Sequence, residues 1–425
     1  SYYNRLKKFS VLRDLESIGI DTTQFYDTEK DALNRDLEDE KLNKLTLEQI
    51  LNIVRGDIVT IENRHIGKDL SSAQDAAKGM RDLVKELQAN PEVGLPLEGD
   101  IINYACRGAR LGKLYTYSAP SGAGKTRYMV MNACAISMPY IDEHGQVIIR
   151  GTEEQPDYQK VLFITTEQQP DEIQTMILAH VAGVNEKAIL LGNFTPDEME
   201  RIKRALDIID KYGSNFIIEC IPDPSIAMLR ARLTKYIVQD NVEYIFYDYI
   251  FSSPGLLSEF RDVAVREDVA LMMLSNTLKE IAATYNIFIQ SATQLNDGWS
   301  KRETGLRDQN CIRGSKAIAD KIDIGLIGVR VSEEEWKQIE AIWSELKAQR
   351  PGKYNHDPNI VVDVYKNRRG EMNSVKIFRY FDYATLRCQD LFVTDASYKS
   401  IKEIGQLQYE ETAYDFLDLK TKGVF

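Results

Sequence analysis

The chain has 425 residues, of which 43% are hydrophobic and 28% charged, and a net charge of −12. That length is too long for one small domain and allows one large core with a smaller appendage, and the balance is that expected of an ordinary soluble protein. No apolar run approaches the ~20 residues of a membrane span, no charged-then-apolar leader is expected, and the acidic balance excludes a uniformly basic coat while leaving room for a few basic loops.

Cys106, Cys134, Cys220, Cys311 and Cys388 show no CxxC spacing. A dispersed, odd set predicts a reducing, cytoplasmic setting and no metal cluster. His65, His144, His180 and His356 are equally isolated and read as structural.

In chain order, residues 1–70 predict a small helical region rich in both charges. In "LTLEQILNIV" Thr46 stands three residues before Gln49, the spacing of a capping box ahead of an apolar stripe. Residues 71–94 predict a linker helix. Ser72 is its cap, and Ala73, Ala76, Ala77, Met80, Leu83, Val84 and Leu87 follow the i, i+3, i+4, i+7 series of one face. That face packs on its own domain or docks on a neighbouring subunit.

From residue 95 the pattern becomes short strands alternating with helices. "KLYTYSA", "KVLFITTE", "NFIIECI", "VEYIFYDYI", "IFIQSATQL", "IDIGLIGVR" and "IVVDVYKN" are β-branched or aromatic runs. Alternation of this kind predicts an α/β fold with a mostly parallel sheet and functional groups at its carboxyl ends. Two insertions interrupt it. "YIDEHGQVIIRGTEEQPDYQK" predicts a hairpin. "SEEEWKQIEAIWSELKAQ" predicts a helix capped by Ser332 and Glu335, packing through Trp336, Ile339, Trp343 and Leu346. The main domain is expected over 95–393, with an extension over 394–425.

The chemistry concentrates in "SAPSGAGKT". Ala119 stands where the strict P-loop pattern has glycine, but Gly122, Gly124, Lys125 and Thr126 are in place, between a predicted strand and a predicted helix. Glycines let backbone N–H groups curl around phosphates, the lysine reaches the terminal phosphates, and the hydroxyl serves Mg²⁺. Ser121, Gly122, Ala123, Gly124, Lys125, Thr126 and Arg127 are therefore the expected ATP contacts. Asp248, ending "YIFYD", is expected to hold Mg²⁺ together with Thr126. Glu167, ending the predicted strand "VLFITTE", is placed to face the γ-phosphate and activate water. Gln294, ending "IFIQSATQ", is placed to sense the γ-phosphate.

"GLPLEGDIINYACRGARLGKLYTYSAPSGAGKT" resembles the entry into the motor domain of DnaB-type replicative helicases, where alanine at position 119 is expected. "VLFITTE", "REDVALMMLSNTLKEIAATYNIFIQSATQLN" and "LRDQNCIRGSKAIADKIDIGLIGVR" are similar to that family's successive motifs. The resemblance covers roughly residues 80–385. It implies a RecA-like ATPase core and a ring-forming, hexameric motor on single-stranded DNA at a replication fork. It also implies 5′ to 3′ translocation and a primase or helicase loader as partner. In "VYKNRRGEMNSVKIF" the family's Lys-x-Arg pattern falls on Lys366 and Arg368, implying cations that act across a subunit interface; Arg369 is an adjacent alternative. After Gln294, Lys301, Arg302, Arg307 and Arg313 form the expected DNA-backbone contact. Residues 1–70 and both insertions have no clear family counterpart, and this divergence fits a phage or mobile-element relative. A filament-forming recombination or repair ATPase, or a nucleotide-switched scaffold or loader, are the alternative readings.

Overall fold

Runs such as "LYTYSA", "VLFIT" and "YIFYD" are rich in apolar and aromatic residues, and as strands they are buried along their whole length. Such continuous burial is what a sheet covered on both faces demands. In the computed structural model the strands are β1 (Leu114–Ala119), β2 (Tyr140–Ile141), β3 (Val147–Ile148), β4 (Val161–Thr165), β5 (Phe216–Cys220), β6 (Tyr244–Asp248), β7 (Phe288–Gln294), β8 (Ile324–Arg330), β9 (Ile360–Asn367), β10 (Val375–Asp382) and β11 (Arg387–Asp395). Nine of them form one sheet of order β11-β10-β9-β8-β1-β7-β6-β4-β5. The structure describes the chain apart from residues 1, 29, 31–34, 52, 55–76, 78, 90–91, 259–266, 302–304, 314–315, 353, 371 and 402–425.

Strands β5, β4, β6, β7, β1 and β8 run parallel, and β9, β10 and β11 extend the sheet antiparallel. One face buries the helix Lys125–Ser137, whose Met129, Val130 and Ala133 join Phe163, Phe246 and Phe288. The other takes Leu229 and Leu233 of the helix Ile226–Asp240 with Leu274, Leu278 and Ile281 of the helix Glu267–Tyr285. Parallel register sets the carboxyl ends level: Ala119 lies beside Gln294 and Thr165 beside Asp248.

Both insertions fold as expected. Strands β2 and β3 pair antiparallel and make the hairpin. The helix Glu333–Gln349 begins with Ser332 and Glu335 in a reciprocal cap, and it buries Ile339 and Trp343. Trp336 and Leu346 pack against the same cluster.

Contacts divide the chain into two compact units, Ser1–Val84 and Lys85–Phe425. The first contains helices Tyr2–Ser17 and Arg35–Lys44 around Leu12, Leu15, Phe25, Leu42, Ile50 and Val54. Its Thr46 cap is present: the Gln49 N–H donates to Thr46 Oγ1 at 3.1 Å and the Thr46 N–H to Gln49 Oε1 at 2.7 Å. The expected linker helix requires correction. It spans Met80–Ala89; Ala77 and Gly79 lie in turns, and Gly79 has φ +77°, a left-handed conformation that interrupts a helix. Ser72 lies outside the described residues. Met80, Leu83, Val84 and Leu87 are exposed, each by 44% or more.

Candidate nucleotide site

The loop after β1 turns through two left-handed glycines, Gly122 at φ +71° and Gly124 at φ +82°. Gly124 is needed for space as well, since a Cβ there would sit 2.6 Å from the Tyr383 ring. Ala119 meets no such demand. It closes β1 in extended, fully buried backbone, and its carbonyl accepts the Leu295 N–H at 3.3 Å and the Lys125 ammonium at 3.4 Å. Lys125 also donates to the Pro120 carbonyl at 3.1 Å, so the lysine folds over its own loop. Burial lowers its pKa against the opposing pull of Asp248 and Glu167. Ser121 is exposed, and Ala123 donates its N–H to the Pro120 carbonyl at 3.2 Å.

Arg127 departs from expectation. Its guanidinium pairs with Glu186 and donates to the Tyr383 carbonyl at 2.9 Å. The side chain thus ties the P-loop helix to its surroundings instead of standing free for a nucleotide.

Thr126 Oγ1 donates to Asp248 Oδ2 at 2.5 Å. Asp248 is 5% exposed, and its other oxygen, Oδ1, is buried without a hydrogen-bond partner. Burial pushes the carboxyl up to about 6; the Thr126 hydroxyl and the Lys125 charge pull it down, and Glu167 pushes it up. A buried carboxylate oxygen with no partner is costly. Beside a threonine hydroxyl and a phosphate loop, the hard oxygen set fits Mg²⁺.

Glu167 is exposed two residues beyond β4, not within it. The Tyr249 hydroxyl donates to Glu167 Oε1 at 3.0 Å, and the Tyr249 ring lies 5.7 Å from the Lys125 ammonium. Sequence reasoning misses this tyrosine, because an aromatic residue following a strand-terminal aspartate carries no motif signal. Gln294 closes β7 next to Ala119. Its side-chain oxygen accepts Arg313 Nη1 at 3.2 Å, and Arg313 also faces Glu267 at 3.7 Å. Glu267 in turn accepts the Ser252 hydroxyl at 2.7 Å. Thus Asp248, Gln294 and the P-loop, with Glu167 just beyond β4, gather at one edge of the sheet.

The expected DNA loop is heterogeneous. Lys301 ends a short 3-10 turn, Asp297–Lys301, and Arg302 lies outside the described residues. Arg313 is exposed. Arg307 requires correction: it is 1% exposed and pairs with Asp363 at 2.9 Å and Glu335 at 3.1 Å. Lys376 joins the same two carboxylates at 2.7 and 3.2 Å. A guanidinium sealed between two buried carboxylates is structural and cannot meet a DNA phosphate.

Lys366 and Arg368 sit at the tip of the β9–β10 hairpin. Lys366 donates to the carbonyls of Ala319 and Asp320, the latter at 3.2 Å, and Arg368 donates to Asp320 at 3.0 Å. Burial lowers the Lys366 pKa, and Arg368 lowers it further. Arg369, at φ +59°, reaches Glu92 at 3.8 Å. Register locates this tip. Asn367 pairs with Ile324, and Ile324 with Tyr115, at the start of β1. Tyr115 to Ala119 is roughly 13 Å at ~3.3 Å per residue, so these cations lie at the sheet end opposite their own P-loop.

A family model for the DnaB-like helicase C terminal domain matches residues 94–387. The SPbeta prophage-derived uncharacterized protein YorI of Bacillus subtilis (strain 168) is 32% identical over 402 residues, 93% of this chain and 77% of that protein. The replicative DNA helicase DnaB of Rickettsia bellii (strain RML369-C) is 22% identical over 269 residues, 61% of this chain and 51% of that one. Among solved structures, one isolated ATPase domain aligns at a TM-score of 0.53 and 14% identity, covering 75% of this chain and 100% of that one. A DnaB-like replicative helicase studied with primase aligns at 0.55 and 12%, covering 85% and 80%.

Proposed function

The chain belongs to the DnaB-like helicase C terminal domain family, and we propose that it is a ring-forming, hexameric motor that hydrolyses ATP while translocating on single-stranded DNA and unwinding a replication fork. The observation carrying this reading is the strand-end edge, where a P-loop, a buried half-paired aspartate, a carboxylate and a glutamine converge. Lys125 and the N–H groups of residues 121–126 grip the phosphates. Thr126 and Asp248 would hold Mg²⁺, which when bound neutralises phosphate charge. Glu167 takes a proton from the attacking water. Gln294 reads the γ-phosphate and passes its state through Arg313 to the loop that follows.

Lys366 and Arg368 act in trans. Their position at the far end of the sheet from their own P-loop supports this, because a cation there reaches a γ-phosphate only on another subunit. The domain order proposed is a helical region over 1–70, a linker over 71–94, the motor over 95–393 and an extension over 394–425. The described helix of the linker is Met80–Ala89, and β11 runs on to Asp395. The exposed stripe of Met80, Leu83, Val84 and Leu87 supports docking of the linker on a neighbour. DNA contacts are reduced to Lys301, Arg302 and Arg313. A primase or loader remains the proposed partner, as a DnaB-like relative interacts with primase.

The test separates grip from chemistry. Lys125→Ala weakens ATP binding, whereas Glu167→Gln keeps binding and loses turnover by about 10²-fold or more. Near-normal ATPase activity in Glu167→Gln sinks the assignment.

A further inference from the structure

Glu167 is an exposed carboxylate on a loop, two residues past the end of its strand. Nothing in a strand end alone keeps such a side chain in one rotamer, yet a group that takes a proton from water must be held at hydrogen-bond distance in a fixed orientation. The contact that restrains it comes from the residue just after another strand, β6. Tyr249 follows Asp248 directly, and its hydroxyl donates to Glu167 Oε1 at 3.0 Å. The ring is half-buried, packed at 5.3 Å from Phe251 and 5.7 Å from the Lys125 ammonium. One side chain therefore touches both the lysine that grips phosphate and the carboxylate that faces water.

We infer that Tyr249 is a positioning residue for ATP hydrolysis, holding Glu167 Oε1 so that Oε2 is presented to the attacking water. The inference rests on the reading of Glu167 as the water-activating group. In the step it serves, a water proton passes to Glu167 Oε2, the water oxygen bonds to the γ-phosphorus, and the bond from that phosphorus to the β,γ-bridging oxygen breaks. The phenol keeps its proton throughout. Its ring also lies against the cleft formed by Ile250, Ser252, Glu267 and Gln294, which ties the same loop to the γ-phosphate sensor.

Tyr249→Phe in the full chain removes the hydroxyl and keeps the ring, its packing and its contact with Lys125. Steady-state ATPase activity and binding of a fluorescent ATP analogue are the readouts. The expected result is a kcat lowered by about tenfold, the scale of a hydrogen bond to a charged group, with analogue affinity unchanged. Glu167→Asp withdraws the carboxylate from the phenol. Adding Tyr249→Phe to it therefore lowers the rate no further. An unchanged kcat in Tyr249→Phe overturns the inference, and so does the same loss in the Glu167→Asp background or a parallel loss of affinity. If Glu167→Gln is inactive while Tyr249→Phe is normal, only the positioning role fails. If Glu167→Gln is active, the reading beneath it fails.

Discussion

Among the described residues of the unit Lys85–Phe425, two of the places that bury carboxylates treat them in opposite ways. Under the insertion helix, Asp363 divides its oxygens between Lys376 and Arg307. Glu335 Oε1 accepts from Arg307, Lys376 and the Tyr398 hydroxyl, and its Oε2 accepts the Ser332 N–H. Two cations meet two anions, and each of these carboxylate oxygens has a donor. At the strand ends, Asp248 is equally buried but only Oδ2 is engaged, by Thr126. A buried carboxylate with a donor on each oxygen holds a scaffold together, whereas one left half-paired beside a phosphate loop fits the proposed role of holding a cation. Burial alone therefore does not mark function; at Asp248 the combination of an unpaired oxygen, the Thr126 hydroxyl and the neighbouring phosphate loop points to a cation.

The contrast is sharpest at Arg307. Replacing it with Met leaves Asp363 and Glu335 sharing Lys376, and breaking a buried pair in this way costs about 3–5 kcal/mol. Urea unfolding of Arg307→Met is expected to show a loss of that size. A variant of normal stability with weakened DNA binding would return Arg307 to the DNA surface and erase the distinction.

Lys301 and Arg302 carry the opposite expectation. If they serve DNA and not the fold, changing both to Ala leaves unfolding within about 0.5 kcal/mol of the parent. It lowers the slope of log affinity for single-stranded DNA against log salt by about 1.4, or ~0.7 for each lost phosphate contact. Fluorescence anisotropy with a labelled oligonucleotide over a salt series reads this directly. An unchanged slope moves the DNA contact to another loop.

The same contrast explains which parts of the chain are legible in sequence. Strands such as "VLFIT" and "YIFYD" announce themselves through runs of β-branched and aromatic residues, and Asp248 is found because it terminates one. The P-loop is local, with every element inside one short stretch. Arg307 is misread because its partners Glu335 and Asp363 lie 28 and 56 positions away, and only the packing of the insertion helix on β9 brings them to it. In sequence it is one cation among several in a polar loop. The Tyr249–Glu167 contact spans 82 positions and is equally invisible. Periodicity absorbs Gly79 into an apolar helical series because it does not register a left-handed φ.

The smallest effect is expected where the sequence looks most irregular. Ala119 occupies the position that the strict P-loop pattern gives to glycine, so restoring Gly is the natural challenge to the idea that the loop is complete as it stands. Its backbone is extended and needs no left-handed freedom; its contributions are a carbonyl that accepts from Leu295 and Lys125 and a methyl group in the core. Ala119→Gly keeps the carbonyl and removes the methyl. Glycine in a strand adds unfolded-state entropy, so stability falls by roughly 0.5–1 kcal/mol. ATP affinity and kcat are expected to stay within about threefold of the parent, which corresponds to less than ~1 kcal/mol in either quantity. A thermal melt with ATPase assays on one preparation separates the two readouts. A gain of tenfold or more in ATP affinity would mean that Ala119 constrains the loop and that the site is held below its binding capacity.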